Sequence, residues 1–217
     1  MDTVISEMIK KELIWIPEKG AGHFPVRNAQ YNEEYFNKYV RYEHTSIGHK
    51  INAFRRRLVN KYTRGKILDI GIGCGTFIKL RGNCLGYDIN PKGRAWLEKK
   101  GLYLDPFLHT DFTGIQGLSF FDSLEHIQNP GDIFYWLTDQ LAFVSIPIFK
   151  DLDHLLKSKH LRRNEHYYYF TQKGFIDYMA SHSFSILELR NDEIKCGRED
   201  IYTFVFKKTK QISRTDF

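Results

Sequence analysis

The sequence predicts an α/β fold in which a mostly parallel, seven-stranded sheet is covered by helices on both faces and closed by one antiparallel strand. Three observations carry this. Short apolar runs alternate with helix-period segments between Lys66 and Ile146, the order of strands wound with helices. A glycine-rich turn, Gly71-Ile72-Gly73-Cys74-Gly75, follows the first of these runs. The last two strands are joined by residues 190–200, a connector too short for a helical crossover, which makes them antiparallel.

Each element has its own signal. Residues 1–45 mix short helix-like pieces with Pro17, Gly20, Gly22 and Pro25. Ile47, Ile51, Phe54, Leu58, Val59 and Tyr62 then recur at spacings of three and four, one face of a helix opened by Thr45 or Ser46 and closed near Gly65. Ile67–Ile70 is a buried strand, followed by the glycine turn and a short helix around Thr76–Leu80. Cys84–Tyr87 is the second strand. Asn90 caps a helix with Pro91 at its first position and Gly101 just past its end. Leu102–Leu104 and Leu118–Phe121 are the third and fourth strands. Asn129-Pro130 opens a helix carrying Ile133, Phe134, Trp136 and Leu137, and Ala142–Ile146 is the fifth strand. Thr171 begins a helix to about His182, and Ser185–Leu189 and Ile201–Lys207 complete the seven. Residues 1–63 are expected to form a helical extension. Residues 64–217 form the main domain, with an insert at 149–170.

The chain has 217 residues, a net charge of +6, 42% hydrophobic and 15% aromatic residues. That composition excludes a disordered tail, a collagen-like repeat and a disulfide scaffold. Cys74, Cys84 and Cys196 form no CxxC pair, which fits a reducing compartment. The first twenty residues lack the apolar stretch of a signal peptide, and no run approaches the ~20 apolar residues of a membrane span, so a cytoplasmic location is expected. The charge is uneven: residues 1–65 carry +5, 66–146 carry −2, 147–170 carry +2, 171–206 carry −2 and 207–217 carry +3. The basic excess therefore surrounds an acidic middle.

Alternate glycines after a buried strand let the backbone turn sharply and approach a ligand, because no Cβ intervenes. Asp88 follows Asp69 by 19 positions, at the end of the second strand, where a carboxylate can accept from both hydroxyls of a ribose. Two residues between the second and third glycines would mark a dinucleotide site; this turn has one. Asp69 with Gly71, Gly73 and Gly75 resembles motif I of the class I S-adenosylmethionine-dependent methyltransferases, in the branch acting on small molecules and quinones. The resemblance covers about residues 64–207 and implies a Rossmann-like sheet with S-adenosyl-L-methionine as cofactor. It implies that Asp69 lies near the methionine amino group, that Gly71, Gly73 and Gly75 pass beneath the cofactor, and that Asp88 holds the ribose. Asp111 falls where family members often contact the adenine amino group.

Leu118–Ile127 is a strand ending in Asp122, Glu125 and His126, and it resembles the family's fourth motif. It lacks the Asn/Asp-Pro-Pro-aromatic motif of amino-group DNA methylases and the Pro-Cys nucleophile of cytosine carbon methylation. A sulfonium is already an activated electrophile, so the protein chiefly aligns the nucleophile with the methyl group. A base is needed for a hydroxyl or a protonated amine, and His126 is the candidate, because a histidine's unperturbed pKa lies near neutrality.

The insert between the fifth strand and the helix at Thr171 is basic and aromatic, including Glu165-His166-Tyr167-Tyr168-Tyr169-Phe170. It leaves the carboxyl edge of the sheet, where open α/β folds bind ligands. With the N-terminal arm it is expected to form a lid over the acceptor, with His166, Tyr168 and Tyr169 touching substrate. His154, His160 and His166 with Glu165 match no compact ligand motif, so no metal is expected. Arg55-Arg56-Arg57 fans around its helix and is expected to be solvated. The expected activity is methyl transfer to an oxygen or nitrogen of a small molecule such as a sugar or metabolite. Two alternatives stand: a nucleic-acid methyltransferase using the basic arm and insert, and a non-catalytic cofactor-binding or assembly protein of the same fold.

Overall fold

A computed structural model describes residues 12–24 and 31–209. Residues 1–11, Pro25 and most of the basic tail lie outside the described residues. The strands are β1 (Ile14–Ile16), β2 (Ala21–His23), β3 (Lys66–Ile70), β4 (Cys84–Tyr87), β5 (Ile115–Phe121), β6 (Leu141–Phe149), β7 (Tyr168–Thr171), β8 (Phe184–Arg190) and β9 (Ile201–Lys208). The helices are α1 (Glu33–Glu43), α2 (Ser46–Tyr62), α3 (Thr76–Arg81), α4 (Pro91–Lys99), α5 (Gly131–Phe134), α6 (Leu152–Lys157), α7 (Gln172–Ser181) and α8 (Asp192–Lys195).

The main sheet has the order β4-β3-β5-β6-β9-β8. Pairings among β4, β3, β5 and β6 are parallel, whereas β9 runs antiparallel to both β6 and β8. The one reversed strand thus lies where the short connector requires it. The expected third strand is reduced to a single parallel bridge, Tyr103 to Gly86. The helix after Asn129-Pro130 is also shorter than expected, a single turn that ends before Trp136.

Alternation along β3 sends Leu68 and Ile70 to one face and Ile67 to the other. The first face packs with Phe120, Val144, Phe204 and Phe206 under α5 and α7. The second packs with Phe143 and Val205 under α2, α3 and α4. Helices therefore cover both faces, as a parallel sheet requires.

The N-terminal segment differs from the short helical pieces its sequence suggested. Ile14–Ile16 and Ala21–His23 form a hairpin whose turn places Pro17 first and Gly20 at a φ of 55°, with Gly20 N–H donating to Pro17. The β-rich Ile-Trp-Ile run and the Gly20 turn outweigh the weak helical pattern. β2 pairs antiparallel with β7, Gly22 opposite Tyr169, and β7 joins the end of β6 at Ile148 and Phe149. Arm and insert are thus one three-stranded ribbon on the carboxyl edge of the sheet. Leu13, Phe24, Phe149, Leu155 and Tyr169 form its own small core.

Candidate functional site

The glycine turn begins where β3 ends. Gly71, Gly73 and Gly75 have φ of 81°, 57° and 79°, the left-handed region that side chains disfavour. At Gly71 a Cβ would stand 2.5 Å from that of Ser123, so the turn also closes against the end of β5. Gly75 instead opens α3 and packs on Trp96. Asp88, at the end of β4, accepts from Gly73 N at 3.2 Å and from Asn90 N at 2.8 Å. Burial raises its carboxyl to about pH 6 against the pull of these N–H groups. Asp69 is buried and accepts from Ser119 Oγ at 2.6 Å.

These groups border two adjoining cavities. The first, about 370 Å³, is lined by Tyr31, Tyr35 and Tyr39, by Tyr87, Asp88, Ile89 and Asn90, and by Phe107, Gly71 and Gly73. Asn90 Nδ2 donates to the Asn32 carbonyl at 3.0 Å, fastening the start of α1 over it. The second, about 270 Å³, is lined by Asp69, Arg55, Glu125, Arg162, His166 and Arg198 among others. Tyr39, Gly71, Gly73, Phe121, Asp122 and His126 belong to both walls.

The second cavity rests on a buried charge network. Asp122, at a φ of 61°, accepts from Arg55 Nη2 at 2.7 Å and from Arg198 Nη1 and Nη2 at 2.8 and 2.9 Å. Glu193, fully buried, accepts from Arg55 Nε at 2.8 Å, Arg198 Nη1 at 2.6 Å and Ser145 Oγ at 2.8 Å. Burial alone would raise the Asp122 carboxyl, but the Arg198 and Arg55 guanidiniums outweigh it and hold Asp122 well below the usual carboxylate range. Two cations and two anions cancel. Arg55, expected in solvent, is 8% exposed and corrects that expectation. It stands four residues after Ile51 and three before Leu58, on the buried face of α2, and this spacing was the signal.

Beyond Asp122, the turn Leu124–His126 presents Glu125 and His126. Glu125 is 2% exposed, and its Oε2 has no hydrogen-bond partner among the described residues. Burial, then the nearby Asp122 charge, raises its carboxyl to about pH 8. The His126 ring packs edge-on to His166, centroids 4.6 Å apart, and its Nδ1 lies 3.2 Å from the Tyr31 hydroxyl. Burial, then His126, holds His166 well below the usual imidazole range.

Other expected residues lie elsewhere. Asp111 lines neither cavity, and its carboxylate accepts from Thr113 N at 2.8 Å. Tyr169 is buried in the ribbon core, and Tyr168 stacks on Phe170 while donating to the Gln128 carbonyl. Their neighbour Tyr167 lines the first cavity. Arg198, Glu193 and the three tyrosines of the arm were missed; of these, the tyrosines at four-residue spacing left a visible trace.

No family model matches the sequence, and no curated protein matches it. Solved structures do. A SAM-dependent methyltransferase from Thermotoga maritima, a possible histamine N-methyltransferase, superposes with a TM-score of 0.59 at 13% identity, covering 82% of this chain and 98% of that one. The fold is that of the class I methyltransferases. The Burkholderia thailandensis 1,6-didemethyltoxoflavin-N1-methyltransferase, solved with bound 1,6-didemethyltoxoflavin and S-adenosylhomocysteine, gives 0.54 at 12% identity over 92% of this chain and all of its own. The [4+2]-cyclase SpnF gives 0.54 at 11% identity, covering 74% of this chain and 81% of its own. The same fold therefore carries more than one chemistry. Among the described residues no helix is long and apolar enough to cross a membrane.

Proposed function

We propose that this chain transfers a methyl group from S-adenosyl-L-methionine to an oxygen or nitrogen of a small-molecule acceptor. The observation that carries this is Asp88, held by two backbone N–H groups on the wall of a cavity that meets a second, charge-lined cavity at His126. The residues present fit the cofactor: Gly71 and Gly73 bring bare backbone to the cavity wall, and Asp88 is a buried acceptor suited to a ribose. When bound, the cofactor supplies a methyl group on a sulfonium, already activated for attack.

On this reading Asp88 accepts from the ribose hydroxyls, Tyr87 and Phe107 flank the base, and Gly71 and Gly73 bring the backbone beneath. Asp69, on the second cavity, faces the amino-acid end. The acceptor enters the second cavity under the ribbon and α1, which serve as the lid. Asp122 acts through its arginines as a positioning residue. Glu125 and His126 stand at the junction, where a hydroxyl acceptor must give up its proton.

The test is turnover of a donor carrying a labelled methyl group against fractionated metabolites and oligonucleotides. Label entering a small-molecule fraction supports the proposal. Label entering oligonucleotides instead favours the nucleic-acid alternative. Donor binding without turnover in any fraction favours the non-catalytic one.

A further inference from the structure

Glu125, His126 and His166 bring a carboxylate oxygen and two imidazole nitrogens within 4.8 Å of one another. They come from two segments, the turn after β5 and the approach to β7, joined by Tyr167 N donating to the Glu125 carbonyl at 2.7 Å. Glu125 and His166 are 2% and 3% exposed, and among the described residues Glu125 Oε2 lacks a hydrogen-bond partner. Buried carboxylate oxygens are almost always satisfied, by hydrogen bonds or by a cation. All three side chains line the second cavity, and His126 lines the first as well.

We propose that Glu125, His126 and His166 hold a divalent cation at the junction of the two cavities. Metal–ligand distances of ~2.0–2.2 Å place two donors on one ion at most about 4.4 Å apart, so small side-chain rotations close the set. Two imidazoles and one carboxylate suit Mn²⁺, Fe²⁺, Co²⁺ or Zn²⁺ better than the all-oxygen shells of Mg²⁺ and Ca²⁺. The surrounding charge does not oppose it: Arg55 and Arg198 are matched by Asp122 and Glu193, and Arg162 pairs with Glu165. Tyr31, 3.2 Å from His126 Nδ1, orients that ring from the arm.

Three protein donors leave coordination positions for substrate, which deepens the proposed function and rests on it: the acceptor is a molecule whose hydroxyl oxygen can ligate the cation. Bound to the cation, that hydroxyl loses its proton more readily and releases it to water. The oxygen then forms a bond to the methyl carbon as the carbon–sulfur bond breaks, its electron pair passing to sulfur. The products are a methyl ether, a neutral thioether and one proton, and the metal keeps its oxidation state.

The experiment is titration of Co²⁺ into the chelator-treated full chain without donor or acceptor, followed by calorimetry and visible absorption. The expected result is one Co²⁺ per chain, weakened at least tenfold in Glu125→Gln and in His166→Gln but unchanged in His182→Gln, with folding checked by circular dichroism. A readout free of variants is Mn²⁺ broadening of ring resonances, expected to be strongest for His126 and His166 of the wild-type chain. Absence of stoichiometric Co²⁺ binding, or undiminished binding in both ligand variants, overturns the proposal. S-adenosylhomocysteine is titrated separately. Its binding without Co²⁺ binding refutes the cation site alone, and the reverse outcome refutes the donor site alone.

Discussion

The two cavities share a wall yet are built on opposite principles. The first is shaped by backbone and rings: a glycine turn, Tyr31, Tyr35, Tyr39 and Tyr87, with Asp88 held by main-chain N–H groups. The second is lined by side-chain charge, its rim fixed by Arg55 and Arg198 against Asp122 and Glu193. Backbone presents the same groups whatever the sequence, so the first can serve a ligand common to many proteins. Charged side chains are free to differ, and the second suits a ligand particular to this one. The difference also predicts how each fails: the first should lose binding while staying folded, whereas the second should lose its fold.

The sharpest way to break this contrast is Arg55→Met. It leaves Glu193 buried with one fewer cation, and removing one partner of a buried pair costs about 3–5 kcal/mol. Urea unfolding should show a loss of that size with an unchanged slope; a loss below ~1 kcal/mol would mean that the network holds nothing up. Next, Asp88→Ala should weaken S-adenosylhomocysteine by about 2–3 kcal/mol, roughly 30- to 150-fold, since two hydrogen bonds to a charged acceptor disappear. Its unfolding midpoint should fall less than that of Arg55→Met, because only the Gly73 and Asn90 N–H groups lose their acceptor. Gly71→Ala sets a φ of 81° against a side chain and drives a Cβ into Ser123, for roughly 1–3 kcal/mol of strain. Calorimetry and thermal unfolding should both register it, because here turn and fold coincide.

The smallest effect is a pH dependence. The Asp88 carboxyl is raised from its ordinary 3.8 to about 6 by burial. Between these values the folded chain holds the extra proton, so the Asp88 contribution to stability falls as pH rises from about 4 to 6. Ribose hydroxyls require the ionised acceptor, and affinity for S-adenosylhomocysteine should therefore climb several-fold from pH 5 to 7. Asp88→Asn should flatten that rise; a rise of equal size in the variant would assign the titration to another group.

The same contrast governs how much could be read from sequence. Asp69 to Asn90 is one short stretch, strand, turn, strand and cap, and local chemistry dictates each part. The reversed β9 followed from the length of one connector. The second cavity gathers α1, Arg55, the turn at Asp122, the insert and Arg198. Arg55 meets Glu193 across 138 positions and Arg198 meets Asp122 across 76, and no local pattern encodes such partners. Arg55 itself was legible on the buried stripe of α2, had helical spacing been weighed above its charge. The hairpin Ile14–His23 was obscured because Pro17 and Gly20 end a helix as readily as they make a turn. Asp111 was placed by family analogy, and its carboxylate instead serves the Thr113 turn.

The first cavity is proposed to bind the methyl donor through Asp88. Calorimetric titration of S-adenosyl-L-methionine and S-adenosylhomocysteine into the parent chain and into Asp88→Ala tests it most directly. One site per chain is expected for both ligands, with a loss of roughly 30- to 150-fold in the variant. No binding by the parent, or equal binding by a folded Asp88→Ala, would contradict it.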